Sequence, residues 1–152
     1  MAQVWSIDFM VGLLIFTFAV ILYFMYSGDI FSYDELDSEG LRIEASSIAS
    51  ALLTPGYPQD WNSSNVIRLG ISEDGSRINV DKLNAFSEVA SNYSRMKSLF
   101  HVRNDFQILI TENSSIVFFA GINKTSKLVS VSNRIVILND SLCKLEVRTF
   151  GG

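Results

Sequence analysis

The chain reads as an α+β protein: a long N-terminal transmembrane helix with a helical extension, packed on a small antiparallel β-sheet head. Three observations predict this. An uncharged apolar run fills Phe9–Tyr26, helical periodicity recurs over 41–52 and 80–100, and from Asp105 the period falls to two. Helices first and strands afterwards is the order of an α+β domain. The expected division is 1–28 as the membrane helix and 29–152 as one extracytoplasmic domain. The roughly 120 residues after the anchor suffice for one compact core and not two.

The apolar run FMVGLLIFTFAVILYFMY carries no charge, and only Gly12 and Thr17 in it are not strongly apolar or aromatic. At about 1.5 Å per residue it covers about 27 Å, close to the hydrocarbon core of a bilayer. Its Leu, Ile, Val and Phe residues together favour insertion by roughly 3 to 7 kcal/mol. A cleaved secretory signal begins with basic residues and ends at a small-x-small site. Here no Lys or Arg precedes the run, and it exits through Tyr26-Ser27-Gly28-Asp29. The segment is therefore expected to stay as a signal-anchor.

Orientation is weakly written in the basic residues, since the first is Arg42. The outer flank holds Asp29, Asp34, Glu35, Asp37 and Glu39. N-x-S/T sequons stand at Asn62, Asn92, Asn113, Asn123 and Asn139, more than this composition yields by chance. Together these place the N-terminus in the cytoplasm and the domain outside the cell, as a glycoprotein. Formal net charge is −4 with no Lys/Arg cluster, which argues against a nucleic-acid partner. Cys143 is the only cysteine, so the domain must be held by its core rather than by disulfides.

After the anchor, Ser32-Tyr33-Asp34-Glu35 has the form of a capping box, and Leu41, Ala45, Ile48 and Leu52 make one apolar face. The alternative is one helix continuous from the membrane to Leu53, bent near Gly28 or Gly40. Thr54-Pro55-Gly56-Tyr57-Pro58 ends the helical stretch, and with Trp61 it forms a rigid turn that is also a candidate contact surface. A short strand is expected over Val66–Ile71. Asn79 should cap a helix over Val80–Ala90, followed by a short helix over Tyr93–Phe100 with His101 at its end. Phe106, Ile108 and Ile110 alternate with Gln107 and Thr111, and a turn at Glu112-Asn113-Ser114 leads into Ile116–Ala120. Gly121–Lys127 is a polar loop. Leu128–Val131, Arg134–Leu138 and Leu142–Phe150 complete a sheet of four or five strands, the last two joined at Asn139-Asp140-Ser141. Cys143, Leu145 and Val147 should face the core, and Lys144, Glu146 and Arg148 the opposite side.

Trp5 suits the membrane interface, and Asp8 abuts the apolar run where a carboxylate needs water or a cation. Gln3, Ser6 and Asp8, with Trp5 between, resemble the start of archaeal type IV pilin-like proteins, whose precursors often read Gly-Gln-x-x-Ser-x-Asp/Glu before the helix. Ala2 stands where that pattern has Gly, and no basic residue precedes it. LLTPGYPQDW beside VIRLGI is similar to what such proteins carry after their long helix. The resemblance implies a structural subunit of a surface filament or a related secretion or adhesion machine. It also implies that Asp8 pairs with a neighbouring subunit's N-terminal amine, that prepilin peptidase is a partner, and that the helix passes from membrane lipid into contact with other pilin-like subunits.

Motifs of catalysis or cofactor binding are missing: there is no G-x-S-x-G, H-E-x-x-H, C-x-x-C, G-x-x-x-x-G-K or G-x-G-x-x-G. One His and one Cys do not supply the usual metal sites. No catalytic residue, cofactor or metal is expected. The alternative to the filament subunit is a single-pass membrane-anchored domain that binds a ligand or partner outside the cell, with Pro55–Trp61 as its contact turn.

Overall fold

The structure is a computed structural model that describes residues 2–31 and 34–152, with side-chain surroundings for 7–26 and 37–152. It divides into two compact units, Met1–Asp37 and Ser38–Gly152. The first unit is formed by helix α1 (Ala2–Phe31). Helix α2 (Asp34–Leu52) begins at the boundary, and from Ser38 onward it belongs to the second unit. The Ser32–Glu35 capping box, and with it the question of a continuous helix, falls outside the described residues.

The second unit is α+β. Helices α3 (Val80–Ala90) and α4 (Tyr93–Phe100) precede strands β1 (Asp105–Glu112), β2 (Ser115–Gly121), β3 (Val129–Leu138) and β4 (Ser141–Phe150). The strands form one antiparallel sheet in the order β2-β1-β4-β3. Both hairpins turn on two residues with positive φ, Asn113-Ser114 (46° and 69°) and Asn139-Asp140 (50° and 62°). That is the backbone twist a tight hairpin requires, and Asn and Asp tolerate it best among residues with a Cβ. The β2–β3 connection crosses the opposite end of the sheet. There Ser126 Oγ donates to the Gly151 carbonyl at 2.8 Å, and the Gly151 N–H to Leu128 at 2.9 Å.

The helices cover one face of this sheet. Leu41, Ala45, Ile48, Ala49 and Leu52, spaced at three and four residues, are buried along one side of α2. They join Phe86 and Val89 of α3, Met96 of α4, and the inward-facing Phe106, Ile108, Ile110, Ala120, Val136, Cys143, Leu145 and Val147. Phe86 packs on Phe118 and Phe100, and Phe100 on Phe106, with ring centroids 5.5, 6.3 and 5.6 Å apart. Polar pins fix the position of α2. The Leu41 carbonyl accepts from buried Thr149 Oγ1 at 2.9 Å, and Glu44 accepts from the N–H groups of Arg103 and Asn104 at 3.1 and 3.2 Å.

The expected Asn79 cap starts α3, and Asn92 caps α4 in the same way. Asn79 Oδ1 accepts from the Lys82 N–H at 3.0 Å, and Asn92 Oδ1 from the Arg95 N–H at 3.1 Å. His101 ends α4 in the left-handed conformation, φ 56°.

Three expectations need correction. Val66–Ile71 is not a sheet strand. Its backbone pairs instead with the turn and the end of α2: Tyr57 and Arg68 exchange bonds of 2.9 and 3.1 Å, and the Ile71 N–H donates to Leu52 at 2.9 Å. The two strands expected over Leu128–Val131 and Arg134–Leu138 are one, because β4 pairs with all ten residues from Val129 to Leu138. Ser132 and Asn133 look like a break in the sequence, but they are simply opposite Val147 and Glu146. Finally, β1 is buried on both faces over Phe106–Ile110 rather than alternating. It lies between β2 and β4, so Leu109 is covered on the outer face by its cross-strand neighbours Phe119 and Glu146.

The aromatic layer makes a direct prediction. Phe86→Ala removes a fully buried ring and should destabilise the second unit by about 3–5 kcal/mol. Denaturant melts of the full chain, followed by near-ultraviolet circular dichroism, measure this.

Candidate functional site

Two surfaces stand out, one in each unit. In α1, the stretch Ile7–Tyr26 is long and apolar enough to cross a membrane, and none of it is buried against the rest of the chain. Its apolar residues point outward on all sides, unlike a core helix, which buries at least one stripe. Inside the apolar run the polar Thr17 is satisfied: its Oγ1 donates to the Leu13 carbonyl at 2.8 Å. Asp8 is exposed within the helix at the head of the apolar run. Gln3, Trp5 and Ser6 lie on the same helix, but their side chains are outside the described residues.

In the second unit the opening lies on the face of the sheet that the helices leave bare. Alternation puts Leu109 and Thr111 of β1, Leu142, Lys144, Glu146 and Arg148 of β4, and Ile135 of β3 on that face. With the first hairpin turn they line a shallow groove of about 660 Å³. Along its floor Glu146 bridges Lys144 and Arg148, each at 2.5 Å, as the i, i+2 spacing of one strand face allows. The Glu146 side chain is only 8% exposed, while the cations are half-exposed. Burial pushes its carboxyl upward, but the hydrogen bonds from Lys144 and Arg148 outweigh this and hold it below the usual carboxylate range.

A second polar cluster sits at the far end of the sheet. Asp105 accepts from Lys97 Nζ at 2.9 Å, Lys124 Nζ at 3.1 Å and the Tyr93 hydroxyl at 3.3 Å. Tyr93 also accepts from the Phe106 N–H at 3.1 Å. Bonding to Lys97 lowers the Asp105 carboxyl, and burial pushes the Tyr93 hydroxyl up to about 12. The cluster ties α4, β1 and the crossing loop together. Its members are far apart in sequence, so no local pattern announces it.

The structure separates the residues of the Pro55–Trp61 turn. Trp61 is buried, its Nε1–H donating to the Gly70 carbonyl at 2.8 Å, and Gly56 is packed beneath it with φ +78°. A Cβ on Gly56 would meet the Trp61 ring at 2.5 Å. Pro55, Tyr57, Gln59 and Asp60 remain exposed there, and the Pro55 carbonyl is bonded by Lys82 Nζ at 2.7 Å. Asn62, Asn92, Asn113, Asn123 and Asn139 are all exposed, and Asn113 and Asn139 occupy the two hairpin tips at one end of the sheet. Cys143 is a buried core thiol, raised by burial. Among the described residues no group of three or more His, Cys, Asp or Glu is arranged to hold a metal. Comparison with protein-family profiles, with curated proteins and with solved structures finds no match.

Glu146→Gln should destabilise the second unit by about 1–3 kcal/mol, the range for losing charged hydrogen bonds at a buried acceptor. Because the folded carboxyl titrates below its ordinary value, this contribution is present above that value and is lost as pH falls through the folded one. The gap between the native chain and the variant should therefore narrow from about pH 7 to about pH 2, read from urea midpoints.

Proposed function

We propose that this chain is a pilin-like structural subunit of an archaeal type IV pilus-like surface filament or a related secretion or adhesion machine. The observation that carries the reading is α1: an uncharged, outward-facing apolar stretch with a single carboxylate, Asp8, at its head. Such a surface suits lipid, and it equally suits a bundle of like helices, where packing replaces acyl chains. In this reading the chain is held in the bilayer with its N-terminus in the cytoplasm and its α+β unit outside. Subunits then pack helix on helix, and a neighbour's amine neutralises Asp8. A charge at that depth is tolerated only with such a partner or with water. The N-terminal resemblance at Gln3, Ser6 and Asp8 supports the same reading, as does the helix-then-sheet order of the chain. Exposed sequons at the hairpin tips fit an outward, glycosylated surface.

A second reading has its own observation. The open groove around Glu146 fits a single-pass membrane protein whose outer domain takes a ligand or partner. In that case assembly does not depend on Asp8.

Asp8→Ala should abolish or strongly reduce filament incorporation while the variant still fractionates with membranes. Loss of both would point to failed insertion instead. Mass spectrometry of the mature N-terminus is the companion measurement. A processed terminus is expected, and an intact Met1-Ala2 on membrane-extracted protein counts against filament entry.

A further inference from the structure

We propose that the free edge of β2 is an interaction site, and that its occupant is β2 of a second copy of this chain. Added antiparallel, it would join two four-stranded sheets into one of eight. The site stands whether or not the chain enters a filament, since it needs only the second unit.

The two edges of the sheet are treated differently. On the β3 edge the segment Ser76–Ile78 lies alongside Ile137, which it bonds twice at 2.9 Å. On the β2 edge, among the described residues, no strand pairs with Ser115–Gly121. That strand, SIVFFAG, has no charge and no proline, the usual devices that keep edges from pairing. It also presents Ile116, Val117 and Phe119 at 62, 44 and 47% exposure. The chain as a whole carries a formal charge of −4, yet along this strand two copies meet without like charges facing each other.

The register identifies the central residue. A two-residue turn at Asn113-Ser114 makes Glu112 and Ser115 the hydrogen-bonded pair that closes the hairpin. The ladder then alternates through Ile116 opposite Thr111 and a bulge at Val117. Phe118 and Ala120 therefore bond toward β1, while Phe119 sits in a non-bonded pair with Leu109. The Ile122 N–H, which donates to Phe106 at 3.1 Å, follows the same alternation. The N–H and C=O of Phe119 thus point away from β1, to the free edge. A two-fold axis through this residue pairs Phe119 with its own copy, Ala120 with Phe118, and Gly121 with Val117. It also sets the two Phe119 rings side by side on the outer face.

One strand and its three exposed side chains make a small contact, of the class of weak, transient interfaces. Anchoring two copies in one membrane raises their effective concentration, so a weak pairing in detergent becomes a populated one in lipid.

The test uses the full chain and the self-opposition of residue 119. In detergent, sedimentation equilibrium should show a concentration-dependent dimer for the native sequence. F119K alone and F119E alone should each weaken it at least tenfold, because like charges then lie directly opposite. Mixing F119K with F119E in equal amounts should restore association. Association through α1 cannot give that pattern. Phe119→Pro should also abolish the dimer, since it removes the outward-facing N–H on which the pairing rests. Hydrogen exchange gives a second readout: the Phe119 amide should slow at least tenfold as protein concentration rises. The proposal is overturned if the mixture associates no better than either variant alone, or if the Phe119 amide exchanges at the same rate at all concentrations.

Discussion

The second unit depends on the seating of α2 against the inner face of the sheet. Its stripe of Leu41, Ala45, Ile48, Ala49 and Leu52 is fully buried in the core that the sheet lines. Neither α3 nor α4, at 11 and 8 residues, would be stable alone. They hold because Phe86, Val89 and Met96 enter a core that α2 and the sheet have already closed. The Thr149–Leu41 and Glu44–Arg103/Asn104 bonds then set where along the sheet the helix lies. Hydrophobic burial supplies the energy here, and these few polar contacts supply the register.

The same one-sidedness explains the outer face. A sheet whose helices all fall on one side leaves the other to solvent, and an antiparallel sheet tolerates this by alternating apolar and polar positions. Here the alternation is incomplete. Lys144, Glu146 and Arg148 supply the polar row on β4, while Ile135 and Leu142 beside them remain exposed. The Glu146 bridge satisfies each charge along that row, so the face is stable without a covering element. It is also more apolar than stability requires, which is why the second reading of the protein has a place to start. In α1 the imbalance is greater still, with the apolar residues of Ile7–Tyr26 exposed on all sides.

Much of this architecture was legible in the sequence, for physical reasons. The Asn79 cap, the Pro/Gly stop after α2, the places of the two hairpin turns and the period-two pattern of β4 are local signals, each fixed by a few neighbouring residues. What was not legible depended on contacts across the chain. Val66–Ile71 has the composition of a strand, but its partners are Leu52 and Tyr57 rather than a ladder. Ser132-Asn133 looks like a loop until β4 is laid beside it. The burial of Leu109 and Glu146 follows from strand order, which periodicity cannot supply. In the candidate sites, Asp8 was visible as a lone acid against an apolar run, and Trp61 as an aromatic in a rigid turn. That Trp61 faces inward was decided by Gly70, nine residues on. The Asp105 cluster draws on three separate elements, and no short window contains it.

The filament reading is the central claim, and shear fractionation tests it most directly. Intact cells are sheared, the released filaments are purified away from membranes, and peptides from β1 to β4 are quantified in both fractions by mass spectrometry. The account predicts these peptides in the filament fraction, in fixed ratio to the other filament proteins, with a remaining pool in the membrane. Finding the chain in the membrane alone, with filaments present and free of it, would contradict the account and leave the single-pass binding domain as the better description.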